Sequence, residues 1–177
     1  MSPLDFRRYT CAMTTVSTLT DKDLAALIDR RSIPAKLIYP GVPTRTVPAA
    51  ADALGVETYQ IIKSLVFLVD TEPVLVVAAG EERLSYRRLA DAFGTSRRRV
   101  QLAGADQALE LTGFVVGSMP PFGHVQNLPT YLDRTSVHPG MVVYGGGGSV
   151  DAMLELSVET LLEVTCGRWL RLTERGK

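Results

Sequence analysis

Ile61-Ile62-Lys63-Ser64-Leu65-Val66-Phe67-Leu68-Val69 is the stretch on which the fold turns. Side chains alternate between the two faces of a strand. Ile61, Lys63, Leu65, Phe67 and Val69 would share one face, and Ile62, Ser64, Val66 and Leu68 the other. Both sets are apolar, which predicts a central strand covered on both sides. Asp70-Thr71-Glu72-Pro73 has the composition of a turn, and Val74 to Ala79 is a second apolar run, so the pair reads as a hairpin.

Working outward from the hairpin, helix signals come first. Thr20 caps a helix, with Asp23 three residues on and Leu24, Leu27 and Ile28 at helical spacing. A second helix is predicted after Thr46, with Pro48 in its first turn and Gly55 at its end. Further helices are expected over Ser85 to Phe93, Ala105 to Leu111 and Val158 to Val164, the last capped by Ser157. Strands are expected over Ile33 to Tyr39, Arg99 to Leu102, Phe114 to Val116, Met141 to Tyr144 and Leu154 to Leu156. Strands and helices are interleaved irregularly around a direct hairpin. The expectation is an α/β fold, one compact domain with a mixed, mostly antiparallel sheet packed with helices.

Composition narrows the function classes. The 177 residues suffice for one domain with a real core, expected over 20–177, after a flexible N-terminal extension over 1–19. Lys+Arg equals Asp+Glu, so overall charge does not announce a nucleic-acid binder. Arg97-Arg98-Arg99 reads as a solvated turn or a local patch. Cys11 and Cys166 give neither a disulfide framework nor zinc spacing, and no metal or cofactor is expected. No apolar stretch approaches the ~20 residues of a membrane span. The first residues lack the apolar centre of a signal peptide, so a cytoplasmic protein is expected.

Lys63 is the residue out of keeping with its strand. A buried ammonium must be paired, carried to the strand end, or placed to meet an anion. One reading is that it snorkels to the edge; the other is a fixed positive charge at the mouth of a pocket. Gly117-Ser118-Met119-Pro120-Pro121-Phe122-Gly123-His124 supplies a candidate partner. Its prolines stiffen a segment whose glycines free its ends, which suits either a tight turn or main-chain groups held ready for a ligand. Gly145 to Gly148 is not a nucleotide-binding loop, because no Gly-Lys-Ser/Thr follows.

The ordered set ALGVETYQIIKSLVFLVD, TGFVVGSMPPFGH, LPTYLDRT, MVVYGGGG and LELSVETLLEV resembles the YbaK/EbsC family, which includes the editing domain of bacterial prolyl-tRNA synthetases and its free-standing relatives. The resemblance runs from about Leu24 to Val164. It implies hydrolysis of the ester joining a wrong amino acid to a tRNA, with Cys- or Ala-tRNA(Pro) as expected substrates. By the family's K-[ST]-L motif, Lys63 is the expected catalytic residue, beside the 3′-terminal adenosine. By the G-x-x-x-P element, Gly117, Ser118, Met119, Pro120 and Pro121 surround the amino-acid end, although Pro120 stands where relatives acting on cysteinyl-tRNA often have a small polar residue. Tyr39 resembles an aromatic pocket residue, the cluster near Gly146 a glycine turn that closes the pocket, and Asp151 a family aspartate. Gly123 and His124, next to the loop, complete the expected substrate-binding set; His124 either reaches the pocket or makes a structural hydrogen bond.

No conventional nucleophile accompanies these residues. There is no G-x-S-x-G elbow, and His124 and His138 are the only histidines. The resemblance implies instead that the terminal ribose hydroxyl or a bound water carries the proton chemistry while the protein positions the ester. With no synthetase segments recognisable in the sequence, editing is expected in trans, with prolyl-tRNA synthetase a candidate partner. The rival readings are a non-catalytic aminoacyl-tRNA or nucleotide-binding module and a domain that recruits a synthetase.

Overall fold

The computed structural model describes residues 18–173. Cys11 and most of the expected N-terminal extension lie outside the described residues. Helix α1 (Asp21–Arg31) starts where its capping signal stands: the Asp23 carboxylate accepts from the Thr20 N–H at 2.8 Å and from its hydroxyl at 2.9 Å. Strand β1 (Ala35–Ile38) is shorter than the apolar run around it. Helix α2 (Val47–Leu54) is capped by the Thr46 hydroxyl, which accepts from the Ala49 N–H at 3.2 Å, and is stopped by Gly55 at φ 66°.

The hairpin follows as β2 (Ile62–Val69) and β3 (Glu72–Ala79). Its turn is tighter than the sequence suggested. Asp70 and Thr71 alone form it, at φ 50° and 77°. Two consecutive left-handed residues give the turn twist that matches paired strands. Glu72 and Pro73 therefore belong to β3. The β2 register points the nitrogen of Pro73 away from β2, where its missing N–H costs no ladder bond.

Helix α3 (Tyr86–Ala92) is capped by Ser85. A single 3-10 turn at Arg97–Arg99 leads to β4 (Val100–Leu102). Arg99 pairs with Asp70 at 2.9 Å, and Arg97 lies 4.1 Å over the Tyr86 ring, so the arginine run braces the hairpin turn and α3. Helix α4 (Ala105–Thr112), strands β5 (Thr130–Asp133), β6 (Val142–Gly146) and β7 (Met153–Ser157), helix α5 (Val158–Thr165) and strand β8 (Arg168–Leu170) complete the chain.

Strands β4-β2-β3-β5-β8 form one sheet, antiparallel from β4 to β3 and parallel from β3 to β8. Strands β1-β7-β6 form a second, antiparallel sheet, joined to the first where Ile61 bridges Tyr144. The fold is thus the mixed, mostly antiparallel α/β domain expected. Ile62 and Val66 enter one apolar core with Leu75, Val77, Leu132 and Leu154. Phe67 and Val69 enter another with Val76 and Leu89 of α3. Phe114 to Val116 is not a strand: Phe114 is buried at 1%, while Val115 and Val116 are each 51% exposed and lead into a turn. Strands β5 and β8 had no counterpart among the expected elements.

Asp133, at the end of β5, is fully buried. Its carboxylate accepts from the Thr173 hydroxyl at 2.6 Å, the Leu172 N–H at 2.8 Å and the Ser136 hydroxyl at 2.8 Å. Burial pushes its pKa up, but these hydrogen bonds outweigh burial and hold it below the ordinary value. Asp133→Asn should cost about 3 kcal/mol at pH 7, the scale of lost charge-assisted hydrogen bonds. The folded pKa is depressed, so this contribution is complete above an unfolded Asp value of ~3.9 and is lost as pH falls through the folded value. Urea midpoints should therefore show a gap between wild type and variant that is constant from pH 7 to pH 5 and narrows on further acidification; equal midpoints at pH 7 would contradict this role.

Candidate functional site

A cavity of about 230 Å³ opens beside the first half of β2. It exists because β4 is short. The ladder between β4 and β2 covers only Phe67 to Val69, and the last contact is the Ala103 N–H donating to Val66 O at 2.9 Å. The chain then leaves as α4, so nothing from β4 pairs with β2 at Ser64. Residues 44–47 before and into α2, the loop Val116 to Met119, Gly146 and Met153 close the other sides.

The loop is held by main chain more than by side chains. Gly117 takes φ 95°, and the Ser118 N–H and hydroxyl both donate to Val115 O, at 3.2 and 3.1 Å. The Ser118 carbonyl accepts from the Gly148 N–H at 2.9 Å. A Cβ on Gly146 would stand 2.5 Å from Met119 O and 2.6 Å from Ser118 O. Only a residue without a side chain lets β6 lie this close to the loop. The glycine run is therefore a packing requirement, and β6 continues through Gly145 and Gly146 instead of ending at Tyr144.

Lys63, Gly117, Met119 and Gly146 line the cavity together. Lys63 is half-buried, and its ammonium donates to Glu82 O at 2.5 Å. Burial pulls its pKa below the ordinary lysine value, against the nearby charges of Glu82, Glu81 and Asp133. Ser118 and Pro120 are buried within the loop. Pro121, Gly123 and His124 face a second, wider cleft, which also carries Arg30, Arg31 and Arg168. The His124 ring donates from Nε2 to Pro120 O at 2.8 Å and meets Phe114 edge-on, and burial lowers its pKa. It thus makes a structural hydrogen bond. Tyr39 is 58% exposed and donates to the Asp21 carboxylate at 2.9 Å, outside the cavity lining. Asp151 is exposed and does not line it either; from the segment after the glycine run, the cavity receives Met153.

Sequence reasoning missed Arg45, Ser64 and Met153. Arg45 sits in an exposed loop without pattern, and Ser64 was counted as one member of an apolar face. Among the described residues the lining holds two cations, Arg45 and Lys63, and no Asp, Glu or His. Such a site can attract an anion and orient a bound group, but among the described residues it offers no side-chain carboxylate or imidazole as a base. Among the described residues no group of three His, Cys, Asp or Glu is placed to hold a metal, and no helix is long and apolar enough to cross a membrane.

Gly146→Ala should displace the Ser118 and Met119 carbonyls and cost about 1–3 kcal/mol, as overpacking does. Amide spectra should show the largest shifts at Gly117 to Met119 and Gly148; an unshifted loop with unchanged melting would refute the close approach.

Comparison with known proteins places these residues in context. The family model for the aminoacyl-tRNA editing domain matches residues 42–164. A relative from Enterococcus faecalis, EbsC, named as a candidate Cys-tRNA(Pro)/Cys-tRNA(Cys) deacylase, is 28% identical over 72% of this chain and 76% of its own. A proline–tRNA ligase of Halalkalibacterium halodurans is 29% identical over 60% of this chain, which matches only 20% of that ligase. A solved structure described as a candidate trans-editing enzyme for prolyl tRNA synthetase is 30% identical with a TM-score of 0.77, covering 87% of this chain and 96% of that one.

Proposed function

The chain belongs to the aminoacyl-tRNA editing-domain family, and on that premise we propose that it hydrolyses, in trans, the ester of a mischarged tRNA, with Cys- or Ala-tRNA(Pro) as substrate. The observation that carries the reading is the composition of the cavity. Two cations and a stiff loop line a small, largely apolar chamber that, among the described residues, has no carboxylate or imidazole. An aminoacyl ester is already activated, so positioning and electrostatic stabilisation suffice where a general base is absent. The bound water or the terminal ribose hydroxyl then handles the proton.

Each part has a task in this scheme. The Lys63 ammonium has three donors; with one on Glu82 O, two remain for the terminal phosphate or ribose. Main-chain groups from Gly117 to Met119 orient the amino acid. Ile62, Val66, Met119 and Met153 give the chamber apolar walls and a limited volume, so size selects the side chain. A sieve of this kind separates neighbours by on the order of 10–200-fold per methylene. Likeness to the solved trans-editing chain, matched over 96% of its length, supports action in trans. Likeness to proline–tRNA ligases supports tRNA(Pro) as the carrier and prolyl-tRNA synthetase as a partner.

The test is tRNA(Pro) charged separately with cysteine, alanine and proline. Release of cysteine or alanine is expected, with prolyl-tRNA spared. Lys63→Ala should fold normally by circular dichroism and lose on the order of 10²-fold in rate, the scale of removing one electrostatic contact to developing charge. Binding without release, across a panel extended to seryl- and threonyl-tRNA, would favour a non-catalytic aminoacyl-tRNA-binding module instead.

A further inference from the structure

The second cleft, of about 1070 Å³, opens on the other side of the glycine-proline loop. It exceeds the range of about 300–1,000 Å³ usual for small-ligand pockets, so its dimensions suit part of a polymer. Three arginines converge on it from two elements far apart in sequence: Arg30 and Arg31 end α1, and Arg168 starts β8. All three are exposed, and among the described residues none has an ion-pair partner; the ion pair there joins Arg99 to Asp70. Asp23 is the cleft's sole acid among the described residues, and its carboxylate already accepts from the Thr20 N–H and hydroxyl. Arg30 and Arg31 meet the negative end of the α1 dipole, which accounts for their place in the helix. Arg168 has no such reason; it stands beside Tyr131, another lining residue, in the β5–β8 register. The exposed amides of Gln126 and Asn127 add further polar groups to the cleft.

We propose that this cleft binds the sugar-phosphate backbone of the tRNA whose acylated 3′ end occupies the cavity, with Arg30, Arg31 and Arg168 as its phosphate contacts. The proposal rests on the deacylase reading above. Guanidinium groups present planar pairs of donors that match phosphate oxygens, and an unpaired one gives up no protein partner on binding. One loop serves both sites: Met119 walls the cavity, and Pro121 to Gln126 wall the cleft. A polymer that enters the cavity by its end thus has a basic surface across the same loop. The whole chain balances 19 basic against 19 acidic residues, so a local excess of this kind is its means of holding a polyanion. The segment over 1–17 carries Asp5 against Arg7 and Arg8 and offers the cleft no net negative charge. The cavity then selects the amino acid while the cleft holds its carrier.

The test measures binding of uncharged tRNA(Pro) and hydrolysis of two substrates: the aminoacyl-tRNA that wild type cleaves fastest, and the same amino acid esterified to adenosine alone. A variant carrying Arg30→Gln, Arg31→Gln and Arg168→Gln is compared with wild type and with Arg98→Gln, which removes an exposed charge outside the cleft. The triple variant should keep its melting temperature, raise Kd for tRNA on the order of tenfold or more at about 50 mM salt, and flatten the slope of log Kd against log salt by about 2–3. On aminoacyl-tRNA its KM should rise with kcat within about twofold of wild type. On aminoacyl-adenosine, which carries no phosphate, both constants should match wild type. Arg98→Gln should change Kd by less than about twofold. An unchanged Kd in the triple variant would overturn the proposal and leave the cleft to an acidic protein surface. An equal loss in Arg98→Gln, or an equal loss on both substrates, would overturn it as well. A wild type that binds tRNA through these arginines yet hydrolyses neither substrate would overturn the deacylase reading alone.

Discussion

The close approach of two main chains, Gly146 to Gly148 against Ser118 and Met119, is the constraint on which the rest of the structure depends. A Cβ at Gly146 would collide with both carbonyls, and one at Gly148 would meet the start of α1 at 2.7 Å. The end of β6 is therefore threaded between the loop and the first helix. The Gly148 N–H then fixes the loop through Ser118 O. Because Met119 is buried in the main core, the same contact ties the cavity wall to the centre of the molecule. A loop held in this way loses little entropy on meeting a ligand.

Strand β2 converts that rigidity into a site. Its odd-numbered residues Phe67 and Val69 pack under α3, and its even-numbered residues Ile62 and Val66 pack into the larger core. The strand is thus immobilised on both faces over its second half. Its first half carries Lys63 and Ser64 beside an open edge, since β4 does not extend to meet them. Fixed polar groups on a clamped strand, next to a void, cost no reorganisation when charge develops. The cations of the lining, with no acid beside them among the described residues, agree with a ligand that brings negative charge and its own proton acceptor.

Much of this was legible in the sequence where the signal is local. Thr20 with Asp23, Thr46 with Pro48 and Gly55, and Ser157 mark helix ends by hydrogen bonds made within a turn or two of chain. The two-faced run from Ile61 fixed the hairpin because nine residues sample several periods. Phe114 to Val116 shows the failure of shorter runs: three apolar residues look like a strand, yet one is a core anchor and two are exposed. Strands β5 and β8 owe their state to parallel partners far along the chain, which no local pattern encodes. Of the residues that family likeness named, Lys63, Gly117, Met119 and Gly146 line one cavity. Tyr39 and Asp151, named with them, sit in exposed connections outside that lining. Ser64 escaped notice because an orphan hydroxyl is visible only once its surroundings are known.

The most direct measurement on the central claim is amide and methyl chemical-shift mapping with a non-hydrolysable 3′-aminoacyl-amide analogue of adenosine. Occupation of the cavity between β2 and the glycine-proline loop requires the largest shifts at Lys63, Ser64, Gly117, Met119 and Gly146. Shifts concentrated instead at Gly123, His124, Arg30 and Arg168, in the cleft behind the loop, would contradict the assignment of the site.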